Sequence, residues 1–148
     1  MNNTLSLLSF LGIFFLICSC DNDVMTEAEK VSFVGEWKLV AFDTLGKETD
    51  YVDPQDKIVI SFHEDSLISG TSMGLCINSF GGKYEITDMN VMNISNFIST
   101  RAACPQSSYW QFVRGLAEVD RYELNDRLYL YNDKKHTKII LKREKTKD

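Results

Sequence analysis

The chain has 148 residues, 16 basic and 21 acidic side chains, a net charge of -5 and a hydrophobic content of 44%. That length suits one domain of ordinary size, and the composition excludes wholesale disorder, a coiled coil and collagen-like or proline-rich structure. A pI near 5.0 argues against nucleic acid as the main partner.

Residues 1 to 19 carry no Asp, Glu, Lys or Arg, and the apolar run Leu5–Cys18 is 14 residues long. A membrane-spanning helix needs about 20 apolar residues, whereas a signal-peptide core needs about 7 to 15. The run ends Ile17-Cys18-Ser19-Cys20, which resembles the bacterial lipoprotein cleavage box: an aliphatic residue, two small ones, then the cysteine that takes lipid. Two or three acyl chains on Cys20 give stable anchoring where one does not. The start Met1-Asn2-Asn3-Thr4 departs from the usual basic opening of a signal. The expected organisation is a signal peptide over 1–19, a lipidated Cys20 with a polar tether over 20–32, a folded domain over 33–144 and a short tail over 145–148. The expected location is the bacterial cell envelope, anchored by lipid, with the outer membrane favoured and the leaflet open.

Of four cysteines, Cys18 leaves with the signal and Cys20 carries lipid. Cys76 and Cys104 remain as a candidate disulfide in a non-cytosolic compartment, or as two buried thiols. No close His/Cys spacing suggests a zinc site.

From about residue 33 short alternating segments are separated by turns, as in β-structure. Trp37, Leu39 and Ala41 alternate with polar or β-branched neighbours. Residues 57–63 are β-branched and aromatic, and Glu64-Asp65 turn the chain into 66–70. Further strands are expected over 83–87, 91–94, 97–100, 122–124, 128–131 and 137–142, with Asn125-Asp126 as a hairpin turn. The spacing predicts a mainly β fold: a small antiparallel barrel or strongly curved sheet of about eight strands. One helix interrupts it, opened by Pro105, with Tyr109, Phe112, Val113, Leu116 and Ala117 on one stripe and Trp110 beside it. The last sixteen residues hold seven basic and three acidic side chains, which fits a solvated edge strand guarded by lysines.

These segments resemble the META/HslJ-like domain family. The residues that carry the likeness are Gly35-Glu36-Trp37-Lys38-Leu39, the stretch Gly74–Tyr84 with Asn78, Gly82 and Tyr84, and Thr100-Arg101-Ala102-Ala103-Cys104-Pro105 before the helix. One departure falls in the second stretch, where Ile77 separates Cys76 from Asn78. Gly81 and Gly82 permit a positive-φ turn and Asn78 can cap it. The resemblance implies a small barrel with a helix across it, on a non-enzymatic envelope lipoprotein or secreted domain linked to stress. It names no catalytic residue.

The residues themselves offer little chemistry. His63 and His136 read as exposed, without a nucleophile partner, and no phosphate loop, serine elbow or zinc-protease motif occurs. Glu48, Asp50, Asp53 and Asp56 read as a solvated acidic loop. The expectation is therefore no enzyme, no cofactor and no metal. It is a domain contacting an unknown envelope protein through exposed aromatics such as Trp110 and Tyr51. The alternative is a barrel holding a lipid or other apolar ligand, for which bulky Trp37, Phe62, Phe80 and Phe112 leave little room.

Overall fold

Buried and half-buried residues alternate without a break along Lys57–Phe62, with Ile58, Ile60 and Phe62 inward. The same period of two runs through Leu128–Asn132, where Leu128, Leu130 and Asn132 are buried. The computed structural model describes residues 33–44, 47–50, 55, 57–74, 77–102 and 108–144. Within them the chain forms β1 (Gly35–Thr44), β2 (Lys47–Asp50), β3 (Lys57–Phe62), β4 (Leu67–Met73), β5 (Asn78–Asp88), β6 (Val91–Ser99), α1 (Ser108–Leu116), β7 (Arg121–Leu124), β8 (Leu128–Asn132) and β9 (Thr137–Arg143).

All pairings are antiparallel. β1 takes β3 on one edge, with Trp37 opposite Ile60, and β9 on the other, with Trp37 opposite Arg143. Eight strands thereby close into a ring, and β2 adds a short hairpin to the far end of β1. The β1–β9 register slips between Leu39 and Ala41. The extra residue, Val40, bends the strand and increases its twist, as closure requires.

The ring is thinnest between β6 and β7, which share the single pair Val91–Arg121. Met92 N donates to Asp120 O at 3.3 Å and Tyr122 N to Asn90 O at 2.9 Å, and there the ladder stops. The helix α1 lies in the connection from β6 to β7 and packs on β5 and β9. Its buried stripe is Tyr109, Phe112, Val113 and Leu116, at the spacing an amphipathic helix needs. Phe112 meets Phe80 of β5 at 5.5 Å between ring centroids, and Gly115 rests on Ile139 of β9. The helix tightens as it ends, through Glu118 N to Gly115 O and Val119 N to Leu116 O.

Inward side chains from the strands and α1 form one core. Phe33 packs edge-on to Phe62 at 4.5 Å and to Tyr122 at 5.3 Å, geometries that suit the charge distribution of aromatic rings. Gly70 makes space for a second aromatic group. A Cβ there would lie 2.1 Å from Phe80 Cζ and 2.5 Å from Val59 O.

Several expectations change. The segments 91–94 and 97–100 are one strand, β6, broken in appearance by Asn96, which has φ of 50°. Gly81 and Gly82 form no turn; both lie within β5, and the glycines with positive φ among the described residues are Gly35 and Gly74. The basic β9 is no edge strand, because β1 and β8 pair with it on both sides. Its Ile139 and Leu141 bring it into the core, so its lysines guard no open edge. Glu48 and Asp50 lie on β2 rather than in a loop, and Asp53 and Asp56 fall outside the described residues. Ala117 follows the helix in an exposed turn instead of completing its stripe.

Gly70→Ala puts a methyl group against a backbone oxygen that cannot move alone. It is expected to cost about 3 kcal/mol or more in chemical denaturation, at the upper end for overpacked cores. A loss below about 1 kcal/mol would show that the Phe80 ring swings aside freely.

Candidate functional site

Two of the stretches singled out in the sequence meet where β5 begins and β6 ends. Asn78 is buried, with 3% of its surface exposed, so its side-chain oxygen needs partners. That oxygen accepts from Ala102 N at 2.8 Å and from the Thr100 hydroxyl at 2.9 Å. Thr100 Oγ1 in turn accepts from Ser79 N at 2.9 Å, and Thr100 N donates to Ser79 O at the same distance. Tyr109 at the start of α1 donates its hydroxyl to Ser79 O at 3.2 Å. Asn78 therefore caps no turn. It latches the segment entering β5 to the segment leaving β6, and the helix is tied to the same point.

Tyr84 and Gly82 serve the neighbouring hairpin. The Tyr84 hydroxyl donates to His63 O at 2.7 Å, and Tyr84 N donates to Ser66 O, holding the β3–β4 turn from inside. Burial, then the charge of Asp65, pushes the Tyr84 phenol up from its ordinary value. A Cβ on Gly82 would sit 3.0 Å from Ser95 O, so glycine admits the bulge of β6 around Asn96.

Gly35 and Trp37 form a third cluster. Trp37 is buried and donates Nε1 to Phe33 O at 3.1 Å. Arg143 lies over its ring at 4.5 Å and donates to Val34 O at 3.0 Å. Gly35 has φ of 132°, and a Cβ there would come 2.9 Å from Arg143 Nη1, so both conformation and space call for glycine. Arg101 is exposed, and no described group pairs with it. Cys20, Cys76, Cys104, Pro105 and Tyr51 lie outside the described residues.

Two surface arrangements escaped the sequence reading. His63 was expected to stand alone, but its Nε2 is 2.8 Å from Ser69 Oγ. The two are diagonal neighbours on the outer face of the β3–β4 hairpin, a relation that follows from the register once the turn is known. They border a shallow groove of about 330 Å³ with Leu67, Gly81 and Ile98. The other His63 nitrogen has no partner among the described residues. His136 is exposed in the turn before β9, with φ of 51°. Trp110 is half-buried, edge-on to Tyr109 at 5.1 Å, rather than an exposed contact.

The second arrangement covers the outer face of β7 and β8. Arg121 lies 3.9 Å over the Tyr131 ring and grips Asp133 with two hydrogen bonds, at 3.0 and 3.2 Å. The Tyr131 hydroxyl donates to Glu123 at 2.5 Å. Burial first, and then the bond to Glu123, push the Tyr131 phenol up to about 12. The Arg121 bonds hold the Asp133 carboxyl below its ordinary value.

The META domain profile matches residues 30–145. The chain belongs to the META domain family. Its three latches are therefore the structural content of the motifs by which this META chain resembles its family. A crystal structure of a DUF4847 family protein from Bacteroides vulgatus is similar in fold, with a TM-score of 0.54 at 18% identity over 81% of this chain and 99% of that one. No curated protein matches the chain.

Asn78→Ala takes the acceptor from Ala102 N and the Thr100 hydroxyl at the part-buried junction of β5 and β6. It is expected to lower unfolding free energy by about 1 kcal/mol and to speed amide exchange at Ala102 first. Unchanged exchange there would remove the latch. The raised Tyr131 pKa keeps the phenol neutral in the folded state. Its stabilising contribution is therefore complete below the ordinary value of 10.0 and lost as pH rises toward about 12. Ultraviolet titration of tyrosinate should lose one of its late-ionising phenols in Tyr131→Phe, and an unchanged curve in that variant would contradict the assignment.

Proposed function

We propose that this META protein is a non-enzymatic lipoprotein of the bacterial envelope, anchored through Cys20 and favouring the outer membrane, whose folded domain contacts another envelope protein. The anchoring half of the reading is supported by the charge-free first nineteen residues, the short apolar core and the Ile17-Cys18-Ser19-Cys20 box. A polar tether after Cys20 then leads to the matched region beginning at residue 30.

The interaction half rests on one observation, the apolar outer face of β4–β6. Ser69, Gly81 and Ile98 lie in one cross-strand row, and Leu67 borders the same groove. Ile98 is 73% exposed, and Leu67 is 39% exposed. Large aliphatic side chains gathered on a sheet face are the kind of surface that protein partners cover. The matching partner chemistry is an apolar patch rimmed by hydrogen-bonding groups that can meet Ser69 and Asn96.

The alternative, an apolar ligand inside the barrel, has less support. Trp37, Phe62, Phe80 and Phe112, the residues expected to fill the interior, are all buried members of one core. Cys76 and Cys104 belong to the same proposal as a disulfide. The latch from Asn78 to Ala102 joins positions two residues from each cysteine, which supports the pairing.

Two measurements on natively expressed protein test this. Intact mass should correspond to residues 20–148 plus acyl chains, with two hydrogens gained on reduction. Cys20→Ala should abolish the acylation, and a chain starting at Met1 would overturn the anchor. A photo-crosslinking residue at Ile98 should capture one reproducible envelope protein, whereas the same residue at Arg127 should not. Equal or absent capture at both positions would overturn the interaction face.

A further inference from the structure

Between α1 and the adjoining ends of β1 and β9 lies a cleft of about 430 Å³. Small-molecule sites typically occupy about 300–1,000 Å³. The cleft is distinct from the barrel interior and from the β4–β6 face. Its floor is apolar, made by the nearly buried side chains of Phe42 and Ile139. Gly115 forms the helix side, where even a methyl group would press on Ile139 Cδ1 at 3.2 Å.

The rim is charged, and its charges do not cancel. Asp43 pairs with Lys138 at 2.8 Å, and Glu118 pairs with Lys135. Each carboxylate on the rim thus has its own lysine, with Asp43 Oδ2 on Lys138 and its buried Oδ1 left without a hydrogen-bond partner among the described residues. Arg114 stands beyond these pairs. Its Nε donates to Trp110 O at 3.2 Å, which fixes the plane of the guanidinium, and no described group accepts from its two Nη atoms. The cleft therefore presents one oriented cation with open donors, above an apolar floor.

We propose that this cleft binds a small amphipathic monocarboxylate, with its carboxylate on the Arg114 guanidinium and its hydrocarbon body on Phe42 and Ile139. A planar guanidinium fits a carboxylate through two parallel hydrogen bonds, a geometry that an ammonium does not offer. Inorganic phosphate has no hydrocarbon to set on Phe42 and Ile139, so the site selects an amphipathic carboxylate over phosphate. The apolar floor adds affinity in proportion to the hydrocarbon it covers, which distinguishes the site from a patch of surface charge. This goes beyond the interaction reading and does not depend on it.

The test uses photoaffinity labelling of the full chain in its membrane, with para-benzoylphenylacetate as probe and the matching neutral amide as control. Labelled peptides are mapped by mass spectrometry. The acid is expected to label peptides bearing Phe42, Gly115 or Ile139, and phenylacetate is expected to compete while inorganic phosphate does not. Arg114→Gln should reduce labelling about tenfold or more, as expected for loss of a charge-assisted hydrogen-bond pair, with Arg114→Lys intermediate. Arg114 is exposed, so the far-ultraviolet circular dichroism of both variants should match the parent. The comparison of acid with amide on the unaltered chain decides the matter even if a variant misfolds. Equal labelling by acid and amide, equal competition by phosphate, or unchanged labelling in Arg114→Gln would each overturn the proposal. Labelling confined to inward residues such as Ile60 or Leu130 would overturn it as well and would favour a ligand inside the barrel.

Discussion

A strand that must be paired on both edges governs this molecule. β1 carries Trp37 and Leu39 into the core, and β3 and β9 flank it on either side. Remove either neighbour and a row of backbone donors and acceptors is left open beside the largest side chain of the interior. The chain secures this point more than once. Arg143 covers the Trp37 ring and bonds to the backbone before it, Gly35 leaves the room, and Lys57 reaches Glu144 at 2.7 Å just beyond β9. These groups come from the two ends of the domain and from β3, so closure is enforced by contacts among the three neighbours.

The opposite side of the ring solves a different problem. β6 and β7 part after one residue pair, and the connection between them carries a helix that packs on β5 and β9. A helix satisfies its own backbone, so it can pack on the ring without matching a register. It needs only a fitted apolar stripe, which Tyr109, Phe112, Val113 and Leu116 provide. The latch through Asn78, Thr100 and Tyr109 then fixes where the helix starts.

Much of this was legible in the residues. The two-residue period placed most strands, the helical stripe was read almost to its end, and the family likeness lay in stretches that prove to be structural latches. What was not legible depends on distant parts of the chain. The double pairing of β9 cannot be read from Thr137–Arg143, whose lysines look like those of an edge strand until β1 is set beside it. Asn96 hid the continuity of β6, because its positive φ interrupts the alternation that marks a strand. Gly82 looked like a turn glycine, whereas it serves a bulge in the strand opposite. Asn78 reads as the cap of a glycine turn, whereas its partner, Ala102 N, is reached only when β5 and β6 are paired. The cleft beside Arg114 left no local signal, since its walls come from α1 and from both ends of the domain.

The first strand of the domain finds one of its two neighbours only in the last. A chain made from its amino end can form the β3–β4, β4–β5 and β5–β6 hairpins in turn. Trp37 must wait for Arg143. Until the final strand arrives the interior is an open, curved sheet, and folding finishes as one late event that depends on contacts far apart in sequence, which is intrinsically slow. Such a domain stays an open sheet while its strands are being made and turns rigid only when β9 reaches β1. Its shape is therefore set last at the place where its two most distant strands meet.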